Sequence, residues 1–364
     1  MDPRIRQHAS IIVNHSVGVE EGDNVLITGP AAAEDLIVAL NEAVGDIGGV
    51  PVNTLSNGRA SRAYLKAAGT DGLETPTHQL ALAEATDKII RIRGDSNVTE
   101  LSDVAPEIVA ERSRVNQPVS ETIMSKDWCL TQYPSSGNAQ LAEMSTDAYQ
   151  NFVWDAIDKD WQAQHDHQAA MVERLDAASE VRIVSSETTD LTMSVEGMIT
   201  INDDGHENLP GGEVFTAPVP DSVEGEVLFD LPLYHQGQEV TGARLVFENG
   251  EVVEHEAEKN ESVLQSVLET DPGARRLGEL GIGMNRDIDR FTYNMLFDEK
   301  MGDTVHMAVG RAYPETVGED HEPNESATHV DMIVDMSEDS RIELDGEIVQ
   351  QNGTFVFEDG FEDA

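Results

Sequence analysis

Cysteine is almost missing: Cys129 is the only one in 364 residues. No intrachain disulfide and no cysteine-rich metal site can form, and nothing calls for an oxidising compartment. Apolar runs are short, none near the roughly 18 residues of a membrane-spanning helix. The first residues, Met1-Asp-Pro-Arg-Ile-Arg-Gln-His, carry no signal-type apolar region. The expectation is a soluble, unexported, cytoplasmic protein with no membrane partner.

Positive charge is scarce too. Lys and Arg number 23 against 70 Asp and Glu, which leaves a net charge of −47. Such a surface repels phosphate backbones and anionic bilayers, so nucleic-acid binding through a basic face is excluded. Only six lysines occur: Lys66, Lys88, Lys126, Lys159, Lys259 and Lys300. The acids run along the whole chain rather than forming a partner-recruiting tail, with one short cluster from Glu358 to Asp363. This pattern reads as adaptation to a cytoplasm of high salt, a halophilic source. Aromatic residues make up only 5%, yet apolar periodic segments recur from end to end, which argues against disorder.

The length predicts two domains at roughly 100–200 residues each. In the first half, short apolar runs (Asn24 to Pro30, Val50 to Leu55, Asp87 to Arg93, Trp128 to Tyr133) alternate with helical patterns (Ala31 to Val44, Arg62 to Ala68, Glu100 to Gln117). That alternation predicts βαβ units and an open, mostly parallel sheet with flanking helices, an α/β domain. A polar helical region from Asn138 to Ala178 follows. From Val181 the chain reads as β-rich, with an Asn249-Gly250 hairpin signal and one helix at Ser262 to Glu269. The expected domains are 1–178, α/β, and 179–364, a β-rich α+β domain.

Common catalytic signatures are missing: His-Glu-x-x-His, Gly-x-Ser-x-Gly, the phosphate-binding Gly-x-x-x-x-Gly-Lys and the dinucleotide Gly-x-Gly-x-x-Gly do not occur. What remains is a scatter of polar residues in apolar settings. His329-Val-Asp331 puts imidazole and carboxylate on one side of a strand, which suits a metal. With about one residue in five acidic, however, a carboxylate near a histidine is also expected by chance. His306, in Thr304-Val-His-Met-Ala-Val-Gly310, would ordinarily be a satisfied core residue. Glu279, in Leu277-Gly-Glu-Leu-Gly-Ile-Gly283, and Glu213, in Pro210-Gly-Gly-Glu-Val-Phe-Thr-Ala-Pro218, stand where a buried charge needs a partner or a metal.

The order Glu213, Glu279, His306, Tyr313, His329, Asp331, with the surrounding segments through Asn324-Glu-Ser-Ala-Thr-His-Val-Asp331, resembles the thermophilic-type metalloaminopeptidases, the aminopeptidase T and aminopeptidase S family. The resemblance covers the second domain, and the first only as a general α/β pattern. Two departures stand out: Gly212 occupies a place where a second acidic residue commonly precedes the ligand glutamate, and the segment between Tyr313 and His329 is shortened.

The resemblance implies that the second domain bears a metal site, with two divalent ions (zinc, cobalt or manganese) and a bridging water. It implies ligands Glu213, Glu279, His306, Tyr313, His329 and Asp331, and catalytic roles for Glu279, as bridging ligand or general base, and Tyr313, as ligand or hydrogen-bond donor. It further implies short peptide substrates, cleaved at the N-terminal residue, and a homodimer. Two other readings are a single-iron ring-cleaving oxygenase resembling 2,5-dihydroxypyridine dioxygenase, and a non-catalytic dimeric homologue. The acid excess gives one test that depends on none of these. Dialysis from molar to low salt should lower the melting temperature through self-repulsion, and a melting temperature indifferent to salt would refute the halophile reading.

Overall fold

The computed structural model describes residues 1–361 apart from Asp95 and Gln236. Contacts divide them into two units, one of Met1–Lys159 with Gly205–Gly211, the other of Asp160–Asp204 with the residues from Gly212 onward. The first unit is built on a five-stranded sheet in the order Val50–Ser56, Asn24–Pro30, Lys88–Arg93, Asp127–Gln132 and Asn208–Leu209. Every pairing is parallel. Helices connect the strands, as the alternating pattern requires: in Glu34–Ile47, Leu36, Ala39, Leu40 and Val44 form one buried stripe.

The helix expected at Glu100 to Gln117 begins later, at Pro106, and runs to Met124. Proline disfavours helical geometry in the residue before it and suits the first helical turn, so Ala105 stays extended and the helix starts behind it. The region from Asn138 to Ala178 is three helices, Ser136–Leu141, Thr146–Ile157 and Trp161–Ala177. Ser145 caps the second by accepting from the Ala148 amide, and Asp160 caps the third through Gln162 and Ala163.

The junction drawn from sequence at 178/179 differs from the division by contacts in two ways. Helix Trp161–Ala177 groups with the second unit, because Met171 and Leu175 join its core and Gln168 donates to the Asp203 and Glu213 carbonyls. Residues Gly205–Gly211 group with the first unit, where Asn208–Leu209 is the last strand of the parallel sheet.

The second unit is the β-rich part, with two main antiparallel sheets. Eight strands run in the order Glu251–Glu256, Ala243–Glu248, Glu224–Phe229, Thr189–Ser194, Glu180–Ser185, Ser340–Leu344, Glu347–Gln351 and Thr354–Phe355. The Asn249-Gly250 hairpin forms as expected, both residues at positive φ as a tight two-residue turn demands. Five strands form the other sheet: His329–Asp335, Thr304–Gly310, Leu277–Gly283, Glu213–Thr216 and Ile201–Asp203. Among the described residues no helix is long and apolar enough to cross a membrane.

One buried polar contact in the first unit generates a pH prediction. Thr131 Oγ1 donates to the Leu209 carbonyl, so it accepts from His8 Nε2, 2.7 Å away. His8 Nδ1 has no partner among the described residues, and burial pushes the imidazole pKa down to about 3 from 6.5. The folded histidine is thus neutral, while below pH 6.5 the unfolded chain takes up a proton that the folded one refuses. Stability is complete above pH 6.5 and falls as pH drops toward 3, by about 2 kcal/mol at pH 5. His8→Gln should lose less stability than wild type between pH 7 and pH 5, by that amount in equilibrium denaturation; parallel losses would contradict the assignment.

Candidate metal centre

Side chains alternate across a strand, so the register of the five-stranded sheet decides which residues share a face. Asp203 lies opposite Glu213, and Glu213 opposite Gly283. His306 pairs with Gly281, Ala308 lies between Glu279 and Asp331, and Gly310 pairs with His329. One face therefore gathers Asp203, Glu213, Glu279, His306, His329 and Asp331 from all five strands. The other presents Val214, Leu280, Ile282, Val305, Met307, Val309, Val330, Met332 and Val334 to the core. A register shift between Leu277 and Glu279 re-aims the chain, so that Leu277 enters the core while Glu279 faces the site.

Glycine makes room on the polar face. A Cβ at Gly281 would lie 2.0 Å from His306 Nε2, so the imidazole can cross this strand only where no side chain stands. Gly212 explains one departure from the family pattern: its φ is +118°, and a Cβ there would lie 2.4 Å from Asn285 Cβ, so an acidic residue does not fit this backbone.

His306 is fully buried, with Nε2 3.1 Å from Glu213 Oε2 and 3.2 Å from Glu279 Oε1. His329 Nε2 is 3.8 Å from Glu279 Oε2 and 3.4 Å from Asp331 Oδ1. The His329 Nδ1–H donates to the Arg311 carbonyl at 2.8 Å, which fixes the ring and turns Nε2 toward the carboxylates. Each oxygen of Glu279 thus faces a different imidazole. Tyr313 lies beside them, its ring 4.9 Å from that of His329 and 6.2 Å from that of Phe215. All six residues singled out in the sequence come together here.

Electrostatics follows from burial and proximity. Burial alone would lower both imidazole pKa values, but the carboxylates outweigh it. His306 is held well above its ordinary value by Glu213 and Glu279, and His329 is raised to about 9, chiefly by Asp331. Burial raises Glu279, opposed in part by His306. For Glu213, burial is overcome by Lys300 and His306, and for Asp331 by His329, so both are lowered. Burial and the charges of Glu279 and Asp331 push the Tyr313 phenol well up, keeping it protonated.

Three participants were not found from sequence. Lys300 is fully buried, its Nζ 2.9 Å from Glu213 Oε1, 3.4 Å from Asp203 Oδ2 and in contact with Glu299. Asp203 and Glu299 look like any of seventy acids; the scarcity of lysine was the one signal that could have marked Lys300.

The donor set fits a divalent cation. Ligand atoms of Glu279, His306 and Asp331 all lie within 4.8 Å of one another. Glu213 Oε2, Glu279 Oε2 and Asp331 Oδ1 are buried without a well-formed hydrogen bond among the described residues, a costly state that a metal would relieve.

Residues 1–361 match the family described as thermophilic metalloprotease (M29). Aminopeptidase AmpS of Bacillus subtilis is 34% identical over 54% of this chain and 55% of its own, so that match spans about half of each. Aminopeptidase T of Thermus thermophilus is 27% identical, with 95% of this chain and 94% of its own covered. The structure of wild-type AmpT from Thermus thermophilus superposes with a TM-score of 0.87 at 26% identity, covering 97% of this chain and 99% of that one. The 2,5-dihydroxypyridine dioxygenase of Pseudomonas putida shares the fold alone, with a TM-score of 0.62 at 14% identity over 99% of each chain. The match along nearly the whole sequence places this chain in the thermophilic metalloprotease family, M29.

Proposed function

We propose that the protein is a metal-dependent aminopeptidase removing N-terminal residues from short peptides, with Glu213, Glu279, His306, His329 and Asp331 holding two divalent ions. The observation that carries this reading is the convergence of those five side chains on one face of one sheet. Donor number supports the count of two: three carboxylates and two imidazoles exceed what one tetrahedral ion needs. Mixed oxygen and nitrogen donors suit zinc, cobalt or manganese.

Such a pair, when bound, supplies a water acidified toward neutrality, an electrophile for the scissile carbonyl and a contact for the free α-amino group. Glu279, with one oxygen toward each imidazole, would serve either as a shared metal ligand or as the general base. Tyr313, as a neutral phenol beside His329, is placed to donate a hydrogen bond to the developing oxyanion. The Arg311 carbonyl keeps His329 in the tautomer whose Nε2 is a free lone pair. A cytoplasmic homodimer working in high salt completes the reading. Two imidazoles and one carboxylate would serve a single iron, but the further carboxylates here favour two ions, and a vestigial site would have no reason to keep these groups aligned.

In molar salt the purified protein should release free amino acids from unblocked peptides, lose this on chelation and regain it with cobalt or zinc. Equal cleavage of N-acetylated peptides would contradict the reading, and elemental analysis giving one iron per chain would replace it with oxygenation. His329→Ala should lower metal content, and activity by more than the roughly 100-fold that loss of an outer-shell partner brings. Its circular dichroism should stay near wild type; full activity in this variant would remove His329 from the site.

A further inference from the structure

Lys300 stands out because a lysine with no exposed surface is rare and needs a reason. It follows the short helix Met295–Asp298, outside the five strands that supply Asp203, Glu213, Glu279, His306, His329 and Asp331. Its ammonium has three donors, and three carboxylates surround it: Glu213 through Oε1 at 2.9 Å, Asp203 at 3.4 Å and Glu299 in direct contact. The other Glu213 oxygen, Oε2, points at His306 Nε2, 3.1 Å away. The two oxygens of Glu213 therefore face different partners, Oε1 the Lys300 ammonium and Oε2 the His306 ring in the centre. Around Glu279, by contrast, both oxygens face imidazoles.

We propose that Lys300 is a positioning residue of the metal centre: by holding Glu213 Oε1 it presents Oε2 alone, so that Glu213 is a terminal ligand of one ion while Glu279 is left to bridge. This rests on the metalloaminopeptidase reading. Asp203, on the edge strand, and Glu299, next in the chain, hold the ammonium from its other sides. The backbone of Glu213 is fixed separately, its carbonyl accepting from Gln168 Nε2 at 2.8 Å, so the lysine is needed for the carboxylate rather than for the strand.

A merely neutralising lysine and a positioning one predict opposite results. Removing a positive charge makes the site more negative and should tighten cation binding; removing a positioning contact should weaken it. The charge-conserving double variant Lys300→Met/Glu299→Gln separates the two, since net charge is unchanged while the hold on Glu213 Oε1 is lost. Metal-stripped wild type and variant would be titrated with cobalt(II) in molar salt, following stoichiometry, affinity and the visible absorption that reports cobalt coordination.

The expected result is that one cobalt binds about 10- to 100-fold more weakly, as for loss of other outer-shell partners. Its absorption should change, while the second cobalt keeps its affinity. Unchanged or tighter binding of both ions with a wild-type spectrum would overturn the proposal. Should the double variant not fold, Lys300→Arg keeps the charge but replaces a compact ammonium with a planar fork that engages both carboxylate oxygens. The same weakening is expected there, and wild-type cobalt binding would again overturn the inference. Wild type that fails to bind cobalt would sink the metal reading itself, a result distinct from failure of the lysine's role.

Discussion

A buried cluster of unlike charges on one face of an antiparallel sheet is the constraint on which the second unit depends. Five strands pair in a register that puts hydrocarbon on one side and carboxylate and imidazole on the other. The apolar face anchors the strands in the core, and the polar face is fixed by the same pairing. A slip of one residue in any of these strands would exchange the faces, burying a charge in hydrocarbon and exposing valine or methionine to the site. Core packing and site assembly therefore enforce each other.

The polar face remains tolerable because each group has a counterpart. His306 is shared by Glu213 and Glu279, His329 by Asp331 and Glu279, and Lys300 by Glu213, Asp203 and Glu299. An isolated buried charge would be expelled or neutralised, whereas a lattice of alternating charges holds carboxylates ready for a cation. Glycine at 281 and the register shift before Glu279 are the backbone devices that let bulky polar groups occupy such a face.

The parallel sheet of the first unit was legible because its strands are apolar runs separated by helical periodicity, a local pattern. The Asn249-Gly250 hairpin was legible from its two turn residues. The strand Leu277–Gly283 was harder, since alternating glycine hides the period-two pattern; its carboxylate was noticed, its strand was not. The last turn of sequence before Pro106 reads as helix by composition, and only the backbone restriction imposed by proline moves the start.

By itself the sequence determined the broad class, the acid excess, the parallel first unit and six candidate side chains for the site, because each is carried by residue type, local periodicity or a segment resembling a known family. Only the tertiary structure decided that those six converge and that Lys300, Asp203 and Glu299 join them. It also decided that the helix Trp161–Ala177 packs with the second unit. The physical reason is that strand register, burial and the pairing of charges arise between segments far apart in the chain, as where Ser340 lies opposite Ser185, and no local pattern records which carboxylate of seventy meets which cation.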